Sequence, residues 1–418
     1  MLYRTQNPHG GDVYGAEVAF DFSSNVNPLG TPPNVLAAIS HAAMRVRQYP
    51  DPYCRALTAA IAAHEAVPED FILCGAGAAE LIYAYCDALR PKKAMELAPT
   101  FLEYSAAASH FGAEMVRVPL QAPEFLPDSK ILDKLQEKAP DVLFLCTPNN
   151  PTGQTISRTL LQSVLDVALA QGTRVLLDEC FLDFTDEKSA KDLLGRYENL
   201  LILKAFTKNF ALAGARVGYC LTENHALLRE MSQSSQPWNV CLPAQAAGVA
   251  ALQEWSWVLR ARKIVREERT FLSQELLSLN ISVCPSEANY LLLRAPVGLG
   301  AALLRRGIAI RSCENYPGLG PGCGPAARRK RSAAGNHAAR DGGSTWHITL
   351  WFRAPCPTPE RACCAPRSAG FSGRTVCAQL PSKARTWRST RSSPPPAARW
   401  DEHRSCRRRL PALRPTCA

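Results

Sequence analysis

The sequence predicts a mixed α/β fold: a mostly parallel central sheet with helices on both faces, then a smaller α/β domain, incomplete at its C-terminal end. Three observations predict it. Short runs rich in Val and Leu recur along the chain from residue 71 to residue 222, with helical stretches between several of them. Strands alternating with helices build parallel sheets covered on both sides. A long charged helical stretch over 254–279 then ends the alternation, and short strands follow it.

In chain order, residues 34–48 and 53–66 carry Ala, Leu and Ile at helical spacing. The segment "FILCGAGAAELIYAYCDAL" (71–89) reads as strand, glycine turn and helix. Apolar runs at 93–98, 114–120, 141–148, 174–181, 199–206 and 216–222 read as strands, and 157–171 as an intervening helix. After 254–279, "ISVCPSEANYLLLRA" and "LLRRGIAIRSC" supply strands of the smaller domain. The expected division is an N-terminal arm with part of the small domain over 1–33, a large domain over 34–253, a small domain over 254–322, and a tail over 323–418. No internal repeat is visible.

Composition bounds the function. Of the 418 residues, 46% are hydrophobic, as in a soluble globular protein. No apolar run is long enough to span a bilayer, and the polar, Gly-rich start has no signal-like apolar segment. A cytoplasmic enzyme with no membrane partner is the expectation. The net charge of +11 is misleading. Residues 323–418 hold 19 of the 48 Lys+Arg and 4 of the 37 Asp+Glu, leaving 29 against 33 in the body. The body is therefore slightly acidic, and nothing in it points to nucleic acid. Its nine cysteines form no CxxC pair, so they read as small buried hydrophobes and not as metal ligands.

An open α/β sheet binds ligands at the carboxyl ends of its strands, and four singular stretches fall there. "GAGAAE" (75–80) opens a helix after a strand, a place for an anion such as phosphate, or alone just a tight turn. "TPNNPTG" (147–153) offers Asn149 and Asn150 as donors, or alone is a Pro/Asn/Gly turn. "LLDECF" (176–181) ends a strand with Asp178. "KAFTKNFALAGARVGY" (204–219) sets two lysines among apolar residues, with Arg216 eight positions after Lys208. Read singly, Lys208 is a surface lysine. Read with the others, it is a desolvated amine nucleophile with a lowered pKa, suited to a Schiff base with an aldehyde cofactor. Arg216 then offers bidentate hydrogen bonds to a phosphate.

The ordered set Tyr49-Pro-Asp-Pro, Gly75-x-Gly77, Pro99-Thr-Phe101, Asn150-Pro-Thr-Gly153, Asp178, Thr207-Lys208 and Arg216 resembles the pyridoxal-phosphate enzymes of the aspartate aminotransferase superfamily, fold type I. The resemblance covers roughly residues 9–322. It implies that Lys208 links pyridoxal 5′-phosphate covalently and that Asp178 pairs with the pyridine nitrogen. It also implies that Asn150 bonds the ring 3′-oxygen and Phe101 stacks on the ring. Thr207, Arg216 and the amides of Ala78 and Ala79 would hold the phosphate. Tyr49 would reach the phosphate of a neighbouring subunit, which implies a homodimer.

Within that superfamily two branches compete, the histidinol-phosphate aminotransferases and the threonine-phosphate decarboxylases of cobalamin synthesis. "HGGDV" (9–13), "DFSSNVNPLGTP" (21–32) and "IRSCENYPGLG" (310–320) resemble the decarboxylases, as do Phe181 in "DECF" and the Pro-Trp of "QPWNV". That branch implies decarboxylation of a phosphorylated amino acid, with His9, Gly10, Asn25, Asn150 and Arg311 touching the substrate. Family members continue past residue 322 with a strand whose first arginine binds the substrate carboxylate. Pro325 stands at that position here.

The tail has 17 Arg against 2 Lys and four of the seven Trp. It reads as out-of-frame coding text, or else as a basic disordered segment that touches nucleic acid or an acidic partner. "STWHITLWF" (344–352) is its one apolar run. If the tail is the protein's own, the expectation is a chain that binds the cofactor and decarboxylates poorly.

Overall fold

The computed structural model describes residues 9–15, 17–319 and 345–351. Two sheets organise them. Toward the N-terminus lie strand β1 (Phe20–Phe22) and helices α1 (Pro33–Ala43) and α2 (Arg55–Glu65). Then come β2 (Ile72–Gly75), α3 (Ala78–Leu89), β3 (Lys93–Ala98), α4 (Leu102–His110), β4 (Glu114–Pro119), α5 (Lys130–Lys138), β5 (Val142–Cys146), α6 (Arg158–Gln171) and β6 (Arg174–Asp178). The segment bearing Lys208 follows in β7 (Leu200–Ala205), the one-turn α7 (Phe206–Asn209) and β8 (Gly218–Leu221). Helices α8 (His225–Ser234), α9 (Leu242–Leu252) and α10 (Trp255–Ser278) lead into β9 (Ser282–Val283), β10 (Tyr290–Pro296), α11 (Leu299–Leu304), β11 (Ile308–Ser312) and β12 (Thr345–Trp351).

The large sheet has the order β2-β8-β7-β6-β5-β3-β4. All neighbours are parallel except β8, which runs antiparallel to both β2 and β7. Between β7 and β8 lie α7, a single turn, and a loop, with no long helix to carry the chain back to the starting end of the sheet. Successive residues on the inner strands enter different cores. Leu143, Leu145, Val175, Leu177, Leu200 and Ile202 pack on one side. Val142, Phe144, Leu176, Leu201 and Leu203 pack on the other. This is the period-2 alternation of a strand covered twice, and it explains the unbroken apolar runs.

The smaller sheet has the order β1-β11-β12-β10-β9. Its β1 pairs in parallel with β11, so the N-terminal arm joins the C-terminal half. The expected end of the small domain at 322 is corrected here: β12 lies between β10 and β11, antiparallel to both. "TWHITLW" is rich in β-branched and aromatic residues, as strands are. It has no partner nearby in sequence because both partners lie more than 30 residues before it. The remainder of 323–418, including Pro325 and the expectation of a disordered or out-of-frame tail, lies outside the described residues. No helix among the described residues is long and apolar enough to cross a membrane.

Leu201 is fully buried on β7, inside the core beneath the segment bearing Lys208. Leu201→Ala is expected to lower stability by about 2–5 kcal/mol, read as a lower denaturant midpoint with the slope unchanged.

Candidate active site

The carboxyl ends of β5, β6 and β7 and the turn between β2 and α3 bring the expected residues together. Gly77 precedes α3 with φ +92°, and no side chain caps the helix. A Cβ at Gly77 would lie 2.6 Å from Nη2 of Arg216. The guanidinium therefore sits against the start of α3, whose first amides, those of Ala78 and Ala79, have no partners within the helix. Thr207, buried in α7, precedes the lysine. Together an arginine, a hydroxyl and unpaired helix-start amides form a donor set suited to a phosphate.

Asp178 ends β6 with only 5% exposure. It accepts from the Tyr104 hydroxyl at 2.6 Å and from the Cys180 N–H at 2.9 Å. Burial raises its pKa, opposed by these hydrogen bonds and by the charge of Lys208. Among the described residues it makes no ion pair. A buried carboxyl served by neutral donors suits a protonated ring nitrogen as its missing cation.

Lys208 Nζ donates to Oδ1 of Asn25, and the Phe181 ring centre lies 5.3 Å from it. Burial brings its pKa down to about 8, Arg216 acts in the same direction, and Cys180 and Asp178 oppose. The neutral amine, the nucleophilic form, is thus far more populated near physiological pH than for an ordinary lysine.

The two asparagines of the β5–α6 turn separate by role. Asn149 is occupied structurally, donating to Pro99 O and Thr152 Oγ1 and accepting from Thr100 Oγ1. Asn150 is 8% exposed, and among the described residues its side chain is engaged through its oxygen, 3.4 Å from the Tyr316 hydroxyl. Phe101 stands at the start of α4, its ring 5.5 Å from that of Tyr104 and 5.7 Å from that of His9.

Gly10 packs where only glycine fits: a Cβ would lie 2.0 Å from Ser23 O and 3.3 Å from Arg311 Cδ. Arg311 Nη2 donates to Asn315 Oδ1 at 3.0 Å. His9 Nε2 pairs with Glu103 Oε1 at 2.5 Å. Tyr49 stands apart, 77% exposed and stacked on Trp238 at 4.5 Å.

Four contributors escaped the sequence reading: Tyr104, Glu103, Tyr316 and Asn289, whose Nδ2 donates to Asn25 O at 3.1 Å. Tyr104 left a readable signal, since it lies one turn after Phe101 in an Ala-rich helix. The partners of the others are too distant in sequence to be read from spacing.

The family model for aminotransferase class I and II matches residues 17–325. The chain belongs to this family. Its enzymes depend on pyridoxal 5′-phosphate, and the residues just described fit that cofactor. The threonine-phosphate decarboxylase of Salmonella typhimurium is 37% identical over 325 residues, covering 74% of this chain and 89% of that protein. A histidinol-phosphate aminotransferase of an Anaeromyxobacter species is 35% identical over 312 residues, covering 72% of this chain and 85% of the relative. The crystal structure of the histidinol-phosphate aminotransferase from Clostridium acetobutylicum matches with a TM-score of 0.69 at 27% identity, covering 80% of this chain and 94% of that one. The chain is thus a pyridoxal-phosphate enzyme of the decarboxylase and aminotransferase kind.

Two outcomes are expected. Capture of pyridoxal phosphate by the apoprotein, followed by absorbance, should accelerate as pH rises through about 8, because the deprotonated amine is the nucleophile. For an unperturbed lysine the rise would continue to about 10.4. Gly77→Ala should weaken cofactor binding about tenfold, the loss of one charge-assisted hydrogen bond, in an equilibrium titration.

Proposed function

We propose that this enzyme decarboxylates L-threonine O-3-phosphate to (R)-1-aminopropan-2-ol O-2-phosphate, a step of cobalamin biosynthesis. The observation that carries the reading is the closure of the N-terminal arm on β11. Gly10 lies against Arg311 with no room for a side chain, and a cavity of about 460 Å³ is lined by His9, Gly10, Ser23 and Arg311 among others. The acids Asp12 and Glu314 line the same cavity; on it, Arg311 offers the paired donors that suit a phosphate monoester. The relative from Salmonella typhimurium carries the decarboxylase name and is similar over most of both chains.

Fixing the phosphate at one end fixes the orientation of the substrate's Cα. Bound pyridoxal phosphate supplies the electron sink that accepts the pair left at Cα when CO₂ departs. Lys208 then delivers a proton to Cα, from an amine that titrates near neutrality. Asn25, supported by Asn289, holds that amine at the reacting side. Phe181 puts a ring without a hydroxyl beside Lys208, so it adds no second acid or base there. Asn150 keeps its amide N–H groups available for the ring oxygen. In this reading the functional unit is a homodimer, with Tyr49 reaching the partner's cofactor phosphate.

A second reading, amino-group transfer from histidinol phosphate, is favoured by the 35% identity to an aminotransferase, because the same anchors would hold that phosphate. The two are separated by assay. CO₂ release from threonine phosphate without a keto acid supports decarboxylation; turnover of histidinol phosphate that requires 2-oxoglutarate overturns it. Arg311→Ala should raise KM for threonine phosphate about thirtyfold, the loss of a charged hydrogen-bond pair, with a smaller effect on kcat.

A further inference from the structure

A second lysine stands four residues before Lys208, and no step above uses it. Lys204 lies on β7 with 5% exposure. Its Nζ is 3.1 Å from Oε1 of Glu65 and 3.7 Å from Oε2 of Glu179. Each partner is held in turn. Glu65 accepts from the Tyr219 hydroxyl at 2.5 Å and from Lys191 Nζ at 2.9 Å. Glu179 accepts from Ser189 Oγ at 2.6 Å and from the Ala190 N–H at 2.7 Å. Asp183 adds negative charge nearby and accepts from Asn209 Nδ2 at 2.6 Å.

The position of this cluster is what gives it a role. Glu179 follows Asp178 directly, Asn209 follows Lys208 directly, and Tyr219 lies three residues after Arg216. Glu65 ends α2, the helix that begins six residues after Tyr49. The neighbours of the expected cofactor contacts thus converge on one buried cation: Glu179 directly, Tyr219 through Glu65, and Asn209 through Asp183, whose charge acts on Lys204. The alternation of the strands separates the two sets. Leu177, Ile202 and Tyr219 belong to one core, while Leu176, Leu203 and Cys220 belong to the other. Lys204, in step with Ile202, points to the first side. Asp178, in step with Leu176, points to the second.

We infer that Lys204 is a positioning residue: its buried ion cluster fixes the ends of β6, β7 and β8 against one another, so that Asp178, Lys208 and Arg216 meet the cofactor in one geometry. Stability alone does not require such a cluster, because apolar side chains of similar volume commonly replace buried ion pairs at no loss. Fixed geometry does, since misplacing a reacting group by about 1 Å costs on the order of a hundredfold.

The test uses the full-length chain and pyridoxal phosphate itself. The variants are Lys204→Met, Lys204→Arg, Tyr219→Phe, and the double change Lys204→Met with Glu179→Gln, which also neutralises the acid that loses its cation, Glu65 keeping Lys191, should the single change fail to fold. The readings are cofactor affinity, the pH midpoint of the bound cofactor's absorbance, and the melting temperature of the apoprotein. The expected result is a loss of affinity of about tenfold and a displaced midpoint in Lys204→Met or in the double variant. Apoprotein melting should change little in the double variant, Lys204→Arg should restore both cofactor readings, and Tyr219→Phe should fall between. Affinity within twofold and an unmoved midpoint in the folded methionine variants overturn the inference. So does an affinity loss that merely follows the melting temperature and is not rescued by arginine.

Discussion

Keeping water from one amine is the constraint on which the site depends. Lys208 is a usable nucleophile because burial disfavours its charged form, and Asp178, a few residues' width away across the sheet, is buried for a different purpose. The two charges partly offset one another, so neither environment can be changed alone. Such a dry place exists at the strand ends because helices cover both sides of the sheet and the inner strands are apolar on both faces. The phosphate end is built on the opposite principle, from partly exposed Arg216 and backbone donors that a glycine brings close together.

The substrate side has a different origin. It is assembled from the two ends of the described chain, with β1 and the arm before it lying on β11. His9 is tied to Glu103 on α4, two residues after Phe101, the ring proposed to stack on the cofactor. The arm thus touches both the large sheet's helices and the small sheet. In the proposed reading, specificity for the phosphorylated end of a substrate and reactivity at its Cα rest on separate parts of the structure, so relatives with two different activities can share most of one framework.

Much of this was legible in the sequence. The strands of the large sheet lie within a few residues of their apolar runs, and the residues proposed to hold the cofactor were marked by their order: a glycine turn, an asparagine turn, an aspartate at a strand end, then Thr-Lys and an arginine. Side-chain partnerships were not legible. Tyr104 is 74 positions from Asp178, and Lys204 drew notice only as a charge in apolar surroundings, because its partners at 65 and 179 belong to other elements. The antiparallel direction of β8 is a pairing that periodicity does not reveal. The place of Thr345–Trp351 in the small sheet was missed because a lone strand does not name its neighbours.

The alternation along β6 has one more consequence. Asp178 and Glu179 are adjacent acids with opposite assignments, one for a cofactor and one for a lysine on the other side. Slipping the chain by a single position within that strand would put one acid in the other's place and leave the second environment with Leu177 or Cys180 instead of a carboxylate. Insertions and deletions of one residue before this point are therefore filtered twice over, by packing and by chemistry, and length changes in the family should accumulate in the outer loops instead.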